Sequence, residues 1–395
     1  MFPLSLLFGH LITTGTLTIE DAAGRRADFG NGKPPHVTIK VHRRGTAWRI
    51  LLRPAMAVGE GYMNGDLTVE SGDIKDFLDL IAMNTGRAAE SQKRKVWDSA
   101  AWQRVRHFNY QRRARRNIAT HYEFTTEAYD LFLDEARQYS CAYFKSPDDS
   151  LEQAQQNKMD HVAAKLLLGP DHRVLDIGCG WGGLARRIHD LSGARVTGLT
   201  LSEEQARAAR QMAEETGLSD MLDFRVEDYR AITGRFDRIV SVGMFEHVGP
   251  PFYPAYFRKI RELLADDGVA LVHTIGRTDG PGGTNAWTAK YIFPGGYSPA
   301  LSEIVPVIER EGLILADIEV LRLHYARTAE HWYRRVQQNR DQLKALYDER
   351  FCRMFEFFLA GCVGAFEHGG LVVYQMQLAR RQDAVPLTRQ YLYRD

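Results

Sequence analysis

From Leu151 onward the chain alternates between two rhythms. Short apolar runs at Arg173–Ile177, Arg195–Leu199, Leu222–Val226, Phe236–Val242 and Gly268–Ile275 are separated by stretches whose apolar residues recur every three or four positions. Strand and helix in alternation predict a doubly wound, mostly parallel α/β sheet with helices on both faces. Two later runs, Ile314–Leu323 and Leu371–Leu378, flank helical patterns at Ala329–Tyr347 and Arg350–Phe366. They would close the sheet as a final antiparallel pair and bring it to seven strands. Residues 1 to about 90 read as a small mixed α/β domain: His36–Val41 alternates as a strand and Ile50–Leu52 is a second apolar element. The glycines between Val58 and Gly65 look like turns, and Ile74–Met83 has helical spacing.

Charge changes the picture in one place. Arg87 to His121 carries ten lysines and arginines against Glu90 and Asp98, a local excess of +8, interleaved with Trp97, Trp102, Phe108 and Tyr110. A solvated linker helix fits this segment, and so does a surface for anionic phospholipid, at about 1 kcal/mol per basic residue. The expected organisation is a docking or dimerisation domain at 1–90, a basic helical linker at 91–120 and a catalytic domain at 121–395. Over the whole chain 51 basic residues face 50 acidic ones, which argues against a nucleic-acid partner. A composition of 44% hydrophobic and 26% charged residues is that of a globular protein. Cys141, Cys179, Cys352 and Cys362 form no close pair, so neither a disulfide framework nor a metal ribbon is indicated, and a reducing cytoplasm fits. No apolar run approaches the ~18 residues of a membrane span, and Met1 to Gly15 lacks a secretory leader. Membrane contact is therefore expected to be peripheral, at the inner surface.

The run Arg173–Ile177 leads into a glycine loop with Gly178, Gly180, Gly182 and Gly183. Glycines at a strand-to-helix turn let backbone amides approach a ligand closely. Gly178, Gly180 and Gly183 also fit a dinucleotide fingerprint. Asp176 decides against a pyrophosphate, which it would repel, and suits the ammonium of S-adenosylmethionine. The acidic residue that a nicotinamide ribose needs after the second strand is missing. Thr200, Leu201 and Gln205 stand there instead, with Glu203 and Glu204 between. Asp228 and Tyr229, after the third strand, offer a carboxylate for an adenine amine and a ring for its face.

Five motifs then add up. The stretches Tyr139–Phe144, Val174–Gly183, Val242–Gly249, His273–Gly276 and Tyr291–Gly296 closely resemble the cyclopropane fatty acid synthases and their mycolic acid relatives. The front region resembles the amino-terminal part of the bacterial phospholipid enzymes more weakly, through His42–Arg44 and Gly59–Asn64. The resemblance implies the class I S-adenosylmethionine methyltransferase fold, Rossmann-like, and methyl transfer to a cis double bond of a phospholipid acyl chain followed by ring closure. It implies cofactor contacts at Tyr139, Ser140, Val174, Asp176, Gly178, Gly180, Gly182, Thr200, Leu201, Gln205, Asp228 and Tyr229. It also implies a bicarbonate ion held by Cys141, Glu246, His273, Ile275 and Tyr325. One departure stands out: His121–Thr126 carries Glu123 where the family has Asp, and Thr126 lacks the usual amide. That leaves a related methyltransferase, adding a branch without closing a ring, as the alternative.

An alkene is a weak nucleophile, so the site must align it with the sulfonium methyl and exclude water. Aromatic faces would stabilise the cation that follows, and Tyr139, Phe245, Phe293 and Tyr325 are the candidates. A base must then take a proton from the transferred methyl. Glu246 follows the fourth strand and His273 lies near the end of the fifth, so both should point into one crevice at the carboxyl ends of the strands. Taken singly, His273 reads as a core histidine and His247 as structural or surface. Glu246 beside Met244 and Phe245 is costly to bury without a partner. Three rival readings remain at this point: a direct Glu246–His273 base dyad acting on a small amine or phenol, a branch-adding fatty acyl methyltransferase, and a lipid-transfer module with a vestigial glycine loop. A homodimer through the first domain is expected, because two docking faces add avidity.

Overall fold

The computed structural model describes residues 2–91 and 124–393. Nearly all of the basic run, with its interleaved aromatics, and residues 121–123 of the departing motif lie outside them. The front region opens with helix α1 (Phe2–Leu11) and holds a four-stranded mixed sheet of β1 (Thr16–Glu20), β2 (Arg26–Gly30), β3 (His36–Val41) and β4 (Leu67–Ser71), in the order β2-β1-β3-β4. Between β3 and β4 run α2 (Arg44–Leu52) and α3 (Pro54–Met63), and α4 (Ile74–Ser91) follows. The glycines expected as turns at 58–65 are mostly helical, with only Gly65 beyond the helix end. Gly59 is there for close approach: a Cβ at this position would sit 2.5 Å from the indole Nε1 of Trp287.

The second sheet follows the expected plan closely. After the short α5 (Thr126–Asp130) and α6 (Leu151–Leu166) come β5 (Arg173–Ile177), α7 (Gly183–Ser192), β6 (Arg195–Thr200), α8 (Glu203–Glu215), β7 (Leu222–Val226), β8 (Phe236–Val242), α9 (Tyr253–Leu263) and β9 (Leu264–Arg277). Then α10 (Ala286–Tyr291), α11 (Leu301–Arg310), β10 (Ile314–Leu321), α12 (His324–Gln338), α13 (Arg340–Leu346), α14 (Glu349–Glu367) and β11 (Leu371–Ala379) complete it. The seven strands lie in the order β10-β11-β9-β8-β5-β6-β7, with β11 antiparallel to both neighbours. The helical pattern at 329–347 is broken at Asn339, which ends α12 and caps α13. Strands β5 and β8 are buried along almost their whole length, as a sheet covered on both faces requires.

The two regions meet through α3, α10 and α14. Trp287 donates from Nε1 to the Met63 sulfur (3.2 Å), and Lys290 Nζ and Tyr291 OH both donate to Glu60 Oε1 at 2.8 Å. Tyr62 OH donates to Glu356 Oε2 at 3.0 Å. These contacts fix the ends of α10 and the middle of α14, whose residues wall one side of the site. Among the described residues no helix is long and apolar enough to cross a membrane.

Candidate active site

A first chamber of about 270 Å³ opens at the carboxyl ends of β5 to β8. Its floor is the glycine loop. Gly178 and Gly180 take φ of +87° and +54°, the left-handed region that glycine adopts without strain. The amides of Gly178 and Cys179 both donate to the Leu199 carbonyl at 2.9 Å, which folds the loop tightly against β6. Nothing lies within 4 Å of the point where a Cβ on Gly180 would stand, so backbone faces open space there. Asp176 is 1% exposed, and its Oδ2 has no hydrogen-bond partner. Burial pushes this carboxyl up to about 7, with the charge of Lys158 pulling it back. A buried, unpartnered carboxylate is costly, and an incoming ammonium relieves it.

Tyr139, Ser140, Leu201 and Tyr229 line the same chamber, as do Thr200, Gln205 and Asp228. Thr200 Oγ1 donates to Gln205 Oε1 at 2.8 Å, while Ser202 caps α8 beneath them. Asp228 is clamped by Arg230 at 2.6 and 2.8 Å. Val174 and Gly182 do not reach the chamber. Val174 sits mid-strand in the core, and a Cβ on Gly182 would meet Phe224 at 2.9 Å, so that glycine serves helix–sheet packing. The donor set fits S-adenosylmethionine: a carboxylate for the ammonium, open backbone beside it, and Asp228 with Tyr229 at the far end.

Behind it lies a second chamber of about 200 Å³ that gathers Cys141, Glu246, His273, Ile275, Tyr325 and Phe293. Strand β8 stops at Val242, and Gly243 N–H makes its last bond to the His273 carbonyl at 2.9 Å. The next amide on that side of β9, Ile275 N–H, would be left without a partner. Glu246, on the single helical turn Phe245–His247, reaches back and accepts it at 2.6 Å through Oε1. The Ile275 amide, expected to serve an anion, is therefore spent on Glu246. Glu246 Oε2 is buried with no partner, and burial pushes the carboxyl up to about 7. His273, 2% exposed, is pushed down to about 3 by burial and by the nearby lysines, Lys158 first. Burial raises the Cys141 thiol well above its ordinary value, which keeps it protonated and suits a lining role. Tyr325, near the start of α12, packs against Phe366 at 4.6 Å and Trp332 at 5.8 Å.

Of the four aromatic candidates, Tyr139, Phe293 and Tyr325 face this chamber and Phe245 does not. Adjacent residues on a tight turn diverge: Glu246 turns inward, so Phe245 turns into the core, 4.5 Å from the Tyr253 ring. His247, read from sequence as structural or surface, lines both chambers, stacks 5.6 Å from Phe293 and is pushed down to about 4 by burial. Tyr129, Tyr139, Ser140 and Gly243 also line both, so these residues form a common wall. Phe124, Met354 and Phe355, unforeseen from sequence, complete the apolar side. Of the departing motif, Phe124 packs 4.9 Å from Phe355, and Thr126 donates to Glu204 on α8 at 2.6 Å.

Residues 109–376 match the family model for mycolic acid cyclopropane synthetase, and residues 7–93 match a domain of unknown function, DUF7884. The chain is 37% identical over 384 residues to a probable fatty acid methyltransferase of Pseudomonas putida, covering 93% of this chain and 94% of that one. It is 36% identical over 354 residues to the cyclopropane-fatty-acyl-phospholipid synthase of Escherichia coli K12, covering 89% of each. The solved mycolic acid cyclopropane synthase CmaA1, complexed with SAH and CTAB, superposes with a TM-score of 0.64 at 32% identity, covering 67% of this chain and 97% of that one. With the glycine loop, the seven-stranded sheet and these matches together, the chain belongs to the mycolic acid cyclopropane synthetase family and is an S-adenosylmethionine-dependent methyltransferase with the class I fold.

Proposed function

We propose that this protein is a cyclopropane-fatty-acyl-phospholipid synthase, placing a methylene bridge across the cis double bond of an unsaturated phospholipid acyl chain. The observation that carries this reading is the unpartnered, buried Glu246 Oε2 inside an aromatic-walled chamber that shares Tyr139, Ser140 and His247 with the glycine-loop chamber. Bound S-adenosylmethionine supplies the electrophilic methyl. Tyr139 and the shared wall align the alkene with it, while Phe124, Phe293, Met354 and Phe355 keep water from the cation that forms on the chain. The faces of Tyr139, Phe293 and Tyr325 stabilise that cation, by roughly 0.5–2 kcal/mol each when desolvated.

Closing the ring requires a proton to leave the transferred methyl. Glu246 Oε2, His273 and the Tyr325 hydroxyl would hold a bicarbonate ion, which when bound supplies a base. Glu246, poised near neutrality, accepts a proton, and His273 donates a hydrogen bond. The Ile275 amide acts indirectly, by fixing the Glu246 carboxylate.

We also propose peripheral docking on an anionic inner-membrane surface by the front domain, at residues 1–90. The support is an exposed face on and beside α2 that presents Trp48 and Leu52, 50% and 75% exposed, among Arg43, Arg44, Arg49 and Arg53. The basic linker at 91–120 and a homodimer would add to this attachment. Sedimentation with vesicles tests it: binding that ignores anionic lipid and salt rejects the docking role.

The branch-adding alternative draws support from the likeness to relatives named as fatty acid methyltransferases, among them those of Pseudomonas putida and Mycobacterium tuberculosis. Incubation with labelled S-adenosylmethionine and oleoyl or vaccenoyl phospholipid, followed by mass spectrometry and proton NMR of the released acids, separates the two. A cyclopropane product has no carbon–carbon double bond, whereas a methylene-branched product keeps one.

A further inference from the structure

We infer that Gln375 and Lys165 are positioning residues that hold His273 as the neutral ring with its proton on Nε2, available to the second chamber. The inference rests on the reading of His273 as a hydrogen-bond donor in the proposed function. Gln375 on β11 pairs in register with His273 on β9, and it is 1% exposed. Its Nε2 lies 3.2 Å from His273 Nδ1, and its Oε1 lies 2.8 Å from Lys165 Nζ. A glutamine amide alone could present either end to the ring.

Lys165 removes the choice. An ammonium only donates, so the carbonyl end of the amide must face it, and the NH2 end is left to the ring. Nδ1 therefore accepts and carries no proton. The one place left for the proton of the neutral ring is Nε2, and no second proton can enter at Nδ1 without opposing the amide NH2. Turning the amide over would set NH2 against ammonium, and although the other tautomer could then donate from Nδ1 to the amide oxygen, the buried bond to Lys165 would be lost.

The lysine is itself held. Lys165, 1% exposed on α6, donates to Glu319 Oε2 on β10 at 2.5 Å, and that carboxylate also takes His161 Nε2 at 2.6 Å. Gln377 Nε2 donates to the Lys165 carbonyl at 2.6 Å, fastening α6 to β11. The order of polarity thus runs from Glu319 through Lys165 and Gln375 to the imidazole. Of these four groups the imidazole alone lines the second chamber. The effect of the other three on the reaction passes through the orientation and protonation of His273.

The test uses the full chain labelled with 15N-histidine, with the His273 signals identified by their loss in His273→Gln. Long-range proton–nitrogen NMR should show Nδ1 unprotonated and Nε2 protonated at neutral pH. In Gln375→Glu a carboxylate replaces the donor, so Nδ1 should gain a proton, and turnover should fall about 10–100-fold with S-adenosylmethionine affinity unchanged in calorimetry. Should that variant fail to fold, Lys165→Met combined with Gln375→Leu replaces the buried polar set with apolar groups, and both tautomers should then appear. A native ring protonated on Nδ1 overturns the inference. So does a Gln375→Glu ring that keeps the native tautomer, or one that reverses it without loss of turnover. If the native ring shows the expected tautomer but the enzyme makes no modified lipid, the proposed function fails and the positioning assignment stands.

Discussion

Glu246 Oε1 accepts the Ile275 backbone amide at 2.6 Å, which makes the carboxylate the continuation of a strand pairing that β8 abandons four residues earlier. One oxygen is anchored to the sheet, the other is buried without a hydrogen-bond partner, and the residue lines the second chamber. Glu246→Gln keeps the shape and the anchoring acceptor but loses the carboxylate that takes up the proton. Turnover should fall roughly 10²–10⁴-fold while S-adenosylmethionine binding, read by calorimetry, stays near native. With the carboxyl pushed up to about 7, the native rate at saturating cofactor should climb as pH rises through that value. The residual rate of the variant should not. A variant of near-native rate would remove Glu246 from the chemistry.

Asp176 should separate cofactor affinity from stability. Its folded-state pKa, about 7, lies above the ordinary value of 3.8, so between those values the folded protein holds a proton that the unfolded chain has lost. The contribution of Asp176 to stability without cofactor should therefore decline as pH rises from about 4 to about 7. Asp176→Asn should flatten that decline in thermal melts at graded pH and weaken S-adenosylmethionine binding by about 1.5–3 kcal/mol, roughly 10–150-fold in Kd. Unchanged affinity would place the ammonium elsewhere.

Phe293 and Phe245 make opposite predictions. Phe293→Leu should lower turnover by roughly 2–30-fold, the equivalent of about 0.5–2 kcal/mol of cation stabilisation, with little change in melting temperature. Phe245→Leu should cost about 1–3 kcal/mol of stability and spare kcat in the protein that remains folded. Denaturant titration beside steady-state kinetics checks both, and a kcat defect confined to Phe245→Leu would reverse the assignment.

Gly59→Ala should be felt in the second chamber although it lies in the front domain. The new methyl would press on the Trp287 indole, 2.5 Å away, and shift α10, which ends in Tyr291 just before Ile292 and Phe293 on the chamber wall. The lipid KM should rise and stability fall by about 1–3 kcal/mol, with cofactor affinity unaffected. A parallel loss of cofactor affinity would contradict this path.

The second sheet was legible because each strand is a bounded apolar run: β5, β7 and β8 begin and end where the residues predict, and the other four differ only at their ends. The front domain was legible only in part: His36–Val41 is β3 and Ile74 opens α4, as the pattern predicts. Strands β1, β2 and β4 are short, and β2 alternates between exposed and half-buried residues, so their hydrophobic signal is faint. Glycines at 59 and 61 suggest turns until the partner across the helix is known. At the site, the motif residues converge as expected because strand ends bring them together. His247 was misjudged because adjacency on one turn does not reveal which way each side chain leaves it. The Ile275 amide was misassigned because an unpaired strand position exists only once β8 is seen to stop. Gln375, on a strand with no motif, gave no signal at all.

The two chambers share part of their lining. Among the described residues, Tyr129, Tyr139, Ser140, Gly243 and His247 touch both sides. If the acyl chain occupies the second chamber as proposed, its specificity can be redrawn, by evolution or by an engineer, at Phe124, Ile292 or Met354, none of which lines the glycine-loop chamber. At those five shared positions every change is a compromise between the two.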